Sequence, residues 1–104
     1  DACHPTLPFL GQGAVMALED GYVLAATLAK HADHATAFAR YERERRPRTA
    51  AVVEKAAANR NQAFKHELAD RDTVALAVAQ HWQQERLRER MDWLYTYDAP
   101  AVEV

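Results

Sequence analysis

The sequence predicts a mainly α-helical chain, and three observations carry that reading. Glycine is absent from residue 22 onward. The apolar–polar alternation of a half-buried strand is missing, and apolar side chains recur instead at the three-to-four-residue spacing of a helix face. Alanine dominates the apolar content: of the 104 residues, 49% are hydrophobic and 22 are alanine, while isoleucine is absent and leucine and valine together number 17. Alanine favours helix and close packing but removes little apolar surface from water. A chain this short also has a modest core, so its helices call for a further surface to pack against.

The first helix is expected from about Ala14 to Lys30. Apolar residues occupy nearly every side of it (Val15, Met16, Leu18, Tyr22, Val23, Leu24 and Leu28), the pattern of a buried helix, with Glu19 and Asp20 as charged exceptions. A polar turn over 31–34 leads into a second helix, with Asp33 as its N-cap and Phe38 and Tyr41 on one face. Pro47 lacks the N–H and crowds the preceding turn. It is expected to kink that helix or to open a third, from about Arg48 to His66, with Val52, Val53, Ala56 and Ala57 inward. Asp70 or Asp72 caps the next helix, which carries Val74, Ala77, Val78, His81 and Trp82 ahead of the charged stretch QQERLRER. In the closing DWLYTYDAP the aromatics Trp93, Tyr95 and Tyr97 alternate, and Pro100 is expected to stop any regular element.

Charge and cysteine usage narrow the function classes. A formal net charge of -2 gives no reason to expect a nucleic-acid or anionic-membrane partner. The single cysteine, Cys3, excludes an internal disulfide and suits a reducing cytoplasm. No apolar run approaches the roughly 18 residues of a membrane span, and no signal-peptide pattern is present. The chain starts at Asp1 without a methionine, so it is expected either to have lost something from its front or to be a piece of a longer protein.

The stretch HPTLPFLGQGAVMALED raises the chemical question. It holds two of the four prolines and runs through Gly11-Gln12-Gly13 into the first helix with no Ser, Thr, Asp or Asn to cap it. A helix leaves its first four N–H groups without intrahelical partners. Glycines at 11 and 13 keep side chains out of the way, so a bulky group can approach the amides of about Gly13, Ala14 and Val15. The helix dipole adds about 0.3–1 kcal/mol for an anion there. A phosphate is poorly supported, because the Lys and Ser/Thr of a P-loop do not follow the glycines. A tight turn whose amides bond water or backbone is an equal reading of the spacing.

DACHPTLPFLGQGAVMALEDGYVLAATLA resembles the second FAD-binding motif of the single-component flavoprotein aromatic hydroxylases. Asp1, Ala2, His4, Pro8, Gly11, Gln12, Gly13, Ala17, Glu19 and Asp20 match that pattern position by position. YERERRPR and WLYTYDA resemble the C-terminal region of the salicylate hydroxylase and hydroxynicotinate monooxygenase branch. Two departures stand out: the glycine expected before Asp1 is missing, and Gly21 stands where the family usually has Ala. The resemblance implies that Asp1 accepts hydrogen bonds from FAD ribityl hydroxyls, with Gly11, Gln12, Gly13, Ala14 and Val15 forming the rest of the cofactor contact. It implies that the amides near Ala14 and Val15 meet the N1–C2=O edge of the flavin, which becomes anionic on reduction by NADH or NADPH. The Pro8 carbonyl would lie beside a small aromatic substrate that is hydroxylated with O2.

Other constellations are weaker. Cys3-His4 supplies two metal ligands at most, and no metal is expected; His4 is expected to fix the loop by hydrogen bonds. The His and Asp residues of HADH, and the isolated His66 and His81, read as surface or packing positions. RYERERRPR reads as a solvated, salt-bridged face, with the added hypothesis that Arg45 or Arg46 pairs with Glu19 or Asp20 and so fixes the first helix.

The combined expectation is a FAD-contacting loop over 1–13 and a helical region over 14–104, together the C-terminal helical part of an FAD-binding α/β, Rossmann-like aromatic-hydroxylase fold whose N-terminal sheet is absent. The partners implied are that missing N-terminal portion and a small aromatic substrate, with self-association as a way to cover apolar surface. Alone the segment is expected to be inactive. The alternative is a stand-alone helical interaction module in which Gly11 to Gly13 is only a turn.

Overall fold

The computed structural model describes residues 3–63, 71–81 and 84–104. Helices account for most of them: α1 (Gly13–Lys30), α2 (His34–Ala63), α3 (Arg71–His81) and α4 (Gln84–Tyr95), with 3-10 turns at Pro8–Leu10 and Ala99–Ala101. Among the described residues there is no strand. Among those residues, too, no helix is long and apolar enough to cross a membrane. The predicted positions Asp1, Ala2, His66, Asp70 and Trp82 lie outside the described residues.

The chain forms two compact units, residues 1–59 with 98–104 and residues 60–97. In the first, α1 and α2 supply a buried set of Met16, Val23 and Thr27 from one helix and Ala37, Arg45, Thr49, Val52 and Ala56 from the other. Asp33 caps α2 as expected: its Oδ2 accepts the Thr36 amide at 2.8 Å and the Thr36 hydroxyl at 2.6 Å. The 3-10 turn Ala99–Ala101 packs on α1, and Arg40 Nη2 donates to the Glu103 carbonyl at 2.5 Å. In the second unit, α3 and α4 follow each other, with Leu94 buried.

Three expectations are corrected. Pro47 opens no third helix at Arg48, because α2 runs unbroken through it from His34 to Ala63. Tertiary bonds on both sides of the proline, from Arg45 and Arg48 to Glu19 of α1, hold the flanking turns in one helix. The α1 helix is not buried on all sides: Met16, Val23 and Thr27 are covered, whereas Leu18 is 76% exposed and Val15, Tyr22 and Leu28 are also exposed. Uniform apolarity records that surfaces need covering without recording which have a partner within these 104 residues. Finally, Trp93 and Tyr95 belong to α4, and Pro100 sits within a 3-10 turn. Proline suits the first positions of a helical turn, where its missing N–H has no partner to lose.

Candidate functional site

The loop before α1 is shaped by local backbone chemistry. Pro8 opens the first 3-10 turn, and its carbonyl accepts the Gly11 amide at 3.1 Å. Gly11 closes that turn at φ 63 and ψ 21, in the left-handed region. A Cβ there would meet nothing within 4 Å, so the backbone angle and not crowding calls for glycine. Gln12 is the N-cap residue of α1 and makes no side-chain cap bond. Its carbonyl starts the helix by accepting the Met16 amide at 2.9 Å.

The amides of Gly13, Ala14 and Val15 precede the first helical bond, and among the described residues none has a hydrogen-bond partner. Ala14 and Val15 are exposed and Gly13 is half-buried. Gln12 is 5% exposed, and its side-chain Oε1 is buried without a partner. Free donors polarised by the helix dipole suit a negatively charged or strongly accepting edge of a ligand. Of the sequence-predicted site residues, the structure gathers Pro8, Gly11, Gln12, Gly13, Ala14 and Val15 at this helix start; Asp1 lies outside the described residues.

Behind the helix start lies a charge network. Arg45, 3% exposed, donates from Nε to Asp20 Oδ1 at 2.6 Å and from Nη2 to Glu19 Oε2 at 2.8 Å. Arg48 adds two bonds to Glu19, 2.7 Å to Oε1 and 2.9 Å to Oε2. His4, 5% exposed, bonds through Nε2 to Asp20 Oδ2. The expected pairing of Arg45 with Glu19 and Asp20 and a hydrogen bond from His4 are therefore observed, whereas Arg46 pairs on the surface with Glu42 at 3.1 Å.

Burial works to raise the carboxyl of Glu19, but hydrogen bonds and charge from Arg48 and Arg45 outweigh it and hold the group below its ordinary value. Asp20 is likewise lowered: burial opposes, and Arg45 and His4 prevail. Burial, then the charge of Asp20, pushes the Tyr41 hydroxyl up. Arg48 and Tyr41 are site members that the sequence reading missed. The signal was the i, i+3 spacing of Arg45 and Arg48, which puts both on one helix face.

Pairing matters for the helix start because Asp20 follows Gly13 by seven residues, about 10 Å along the axis. Two bare carboxylates at that distance would oppose an anion at the amides, whereas two arginines cancel them. Cys3, His4 and Asp20 also bring a thiol, an imidazole and a carboxylate within 4.8 Å of one another. Both Asp20 oxygens are already bonded and a guanidinium sits on one of them, so the group is a structural ion-pair network and a poor cation site.

A family model described as FAD binding domain matches residues 1–56, just over half of the chain and all of this site. The chain belongs to the FAD binding domain family. Curated relatives of that kind include a 3-amino-4-hydroxybenzoate 2-monooxygenase of Streptomyces platensis, 37% identical over 103 residues, which cover 98% of this chain and 25% of that protein. A 3-hydroxybenzoate 6-hydroxylase of Klebsiella oxytoca is 52% identical over 54 residues, covering 51% of this chain and 14% of its own. A 6-hydroxynicotinate 3-monooxygenase of Pseudomonas fluorescens is 48% identical over 54 residues, again half of this chain (50%) and 14% of the relative. The chain thus spans between 14% and 25% of the length of these relatives. No solved structure matches it. The comparisons give the stand-alone module no support, and they agree with FAD as the cofactor of the family to which this helix start belongs.

Proposed function

We propose that this chain forms one wall of the flavin site in an FAD-dependent monooxygenase that hydroxylates a small aromatic substrate. The observation that carries the reading is the uncapped start of α1, where the amides of Gly13, Ala14 and Val15 have no partner among the described residues. In this reading FAD supplies the redox chemistry: two electrons from NADH or NADPH and one O2 convert a ring C–H to C–OH and release one water.

The residues of this chain bind and orient. The amides of Ala14 and Val15 donate to the flavin N1–C2=O edge, where the dipole of α1 favours negative charge. The buried Gln12 oxygen offers an acceptor to an N–H or O–H of the cofactor, Asp1 holds ribityl hydroxyls, and the Gly11 turn lets the ring approach closely. The Pro8 carbonyl borders the substrate, its remaining lone pair available while the other binds the Gly11 amide. The substrates that the relatives are named for, benzoates and a nicotinate carrying hydroxyl or amino groups, support an aromatic carboxylate with an electron-donating substituent.

Residues 1–13 form the FAD-contacting loop and 14–104 the C-terminal helical region of a larger α/β, Rossmann-like fold, and the exposed apolar side of α1 packs on the rest of that fold or on a second copy. We place the protein in the cytoplasm, without nucleic-acid or membrane partners. The test is direct. The intact protein carrying this chain should be yellow, absorb near ~450 nm and oxidise NADH or NADPH faster when a hydroxybenzoate or hydroxynicotinate is added. A protein that stays colourless after incubation with FAD would overturn the reading.

A further inference from the structure

We infer that His4 is a positioning residue: its bond to Asp20 closes the loop of residues 5–12 onto α1 and thereby sets where Pro8 and the Gly13–Val15 amides stand relative to each other. The inference rests on the flavin reading above but goes beyond it, since His4 touches neither substrate nor cofactor there.

The argument begins with how little else holds the loop. Cys3, Pro5, Leu7, Pro8 and Gly11 are exposed. Within the loop the described hydrogen bonds are Gly11 to Pro8, at 3.1 Å, and the Thr6 hydroxyl to the adjacent Leu7 carbonyl, at 3.3 Å. Both are local; at the far end the Gln12 carbonyl accepts the Met16 amide at 2.9 Å, where the loop runs into α1, so among the described bonds His4 alone ties the near end to that helix. The imidazole of His4 is buried, and its Nε2 reaches across 16 residues to Asp20. Asp20 stands two turns below Gly13, on the same side of α1. The chain from His4 through the loop and down the helix to Asp20 is therefore a closed ring, covalent at Gly13 and hydrogen-bonded at His4, the geometry of a compact loop whose ends are pinned together.

Asp20 cannot drift to follow a loosened loop, because Arg45 of α2 holds its other oxygen at 2.6 Å. The arrangement is a relay of fixed points from α2 to α1 to loop. Hydroxylation of a ring needs the substrate-facing carbonyl and the cofactor-facing amides in one geometry, and misplacement by about 1 Å can cost up to about a hundredfold. A loop released at His4 would keep its amides, and so its cofactor, while losing that alignment.

The test compares two polar variants of the intact protein at saturating FAD. His4→Gln places an amide donor near the position of Nε2, whereas the shorter His4→Asn places it near Nδ1, out of reach of Asp20. The readout is the fraction of oxidised NADH or NADPH recovered as hydroxylated product and not as hydrogen peroxide, with KM for the aromatic substrate measured alongside. We expect His4→Asn to lower that fraction about tenfold while it keeps a flavin spectrum, and His4→Gln to restore it. Equal coupling in both variants, whether intact or impaired, overturns the inference. Should His4→Asn not fold, His4→Gln is compared with the wild type instead: coupling within about twofold of the wild type supports the inference, and a loss of about tenfold overturns it. A wild-type protein without flavin defeats the flavin reading instead, so the two failures are distinguishable.

Discussion

A single guanidinium, that of Arg45, straddles two consecutive carboxylates, taking Asp20 at 2.6 Å and Glu19 at 2.8 Å from one side of α2. This fork ties the two longest helices together at a buried point, and removing it leaves Asp20 without its cationic guanidinium partner. Arg45→Met should therefore destabilise the chain by about 3 kcal/mol, the scale of breaking one side of a buried ion pair. Arg45→Lys should recover little, since an ammonium cannot reproduce the two-pronged geometry. Urea denaturation of the three proteins checks this, with Arg46→Ala as control. The Arg46–Glu42 pair is solvent-exposed, and its loss should stay within about 0.5 kcal/mol.

The same network sets an acid limit. Glu19 and Asp20 are both held below their ordinary values in the folded chain. Between the folded values and the unfolded values near about 4, the unfolded chain binds more protons, so stability rises with pH in that window. The contribution is present in full above the unfolded values and is lost as pH falls through the lowered folded ones. Chemical unfolding across an acid series should show stability level from neutral pH to about 5 and falling below it. In Arg45→Met the fall should be shallower.

Much of this site was legible in the residues, and the reasons for the misses are physical. Ten positions at fixed spacing, from Asp1 to Asp20, announced the loop and helix start; Asp33 announced its own cap through the Thr36 amide. The third helix read from Pro47 is missing because the proline's local cost of about 3 kcal/mol is offset by contacts 26 and 29 residues away, from Arg45 and Arg48 to Glu19. No local pattern contains them. Leu18 misled in the opposite sense, since apolarity reports what a residue needs and not what this length of chain supplies.

Two glycines should respond in opposite directions to the same change. Gly11 lies at φ 63 with open space around it, so Gly11→Ala adds backbone strain alone, about 1–2 kcal/mol. Gly21 is within α1, and a Cβ there also meets nothing within 4 Å. Gly21→Ala should stabilise by up to about 1 kcal/mol through helix propensity. Thermal unfolding followed by circular dichroism separates the two.

Met16 and Leu18, two residues apart, test which side of α1 carries the core. Met16 is fully buried and Leu18 is 76% exposed. Met16→Ala should cost about 2–3 kcal/mol and Leu18→Ala less than about 0.5 kcal/mol in this chain. A larger Leu18 effect in a longer protein containing the chain would measure the surface that covers it there.

The sharpest prediction concerns the amides themselves, because a backbone donor can be deleted without removing a side chain. Ala14 is the second residue of α1, and its N–H has no helical partner. Proline is tolerated in the first turn, where no intrahelical bond is lost. Ala14→Pro should therefore leave helix content and unfolding nearly unchanged while removing one donor from the proposed flavin edge. A neutral hydrogen bond contributes about 0.5–1.5 kcal/mol and one to a charged group about 1.5–3 kcal/mol, so affinity for oxidised FAD should weaken about two- to tenfold, and that for the reduced flavin, which carries the negative charge, should weaken more. A lower midpoint potential would record that difference. Titrating FAD by fluorescence and measuring the potential by dye equilibration give the two numbers. Unchanged affinity with unchanged potential would remove the uncapped helix start from the account of cofactor binding.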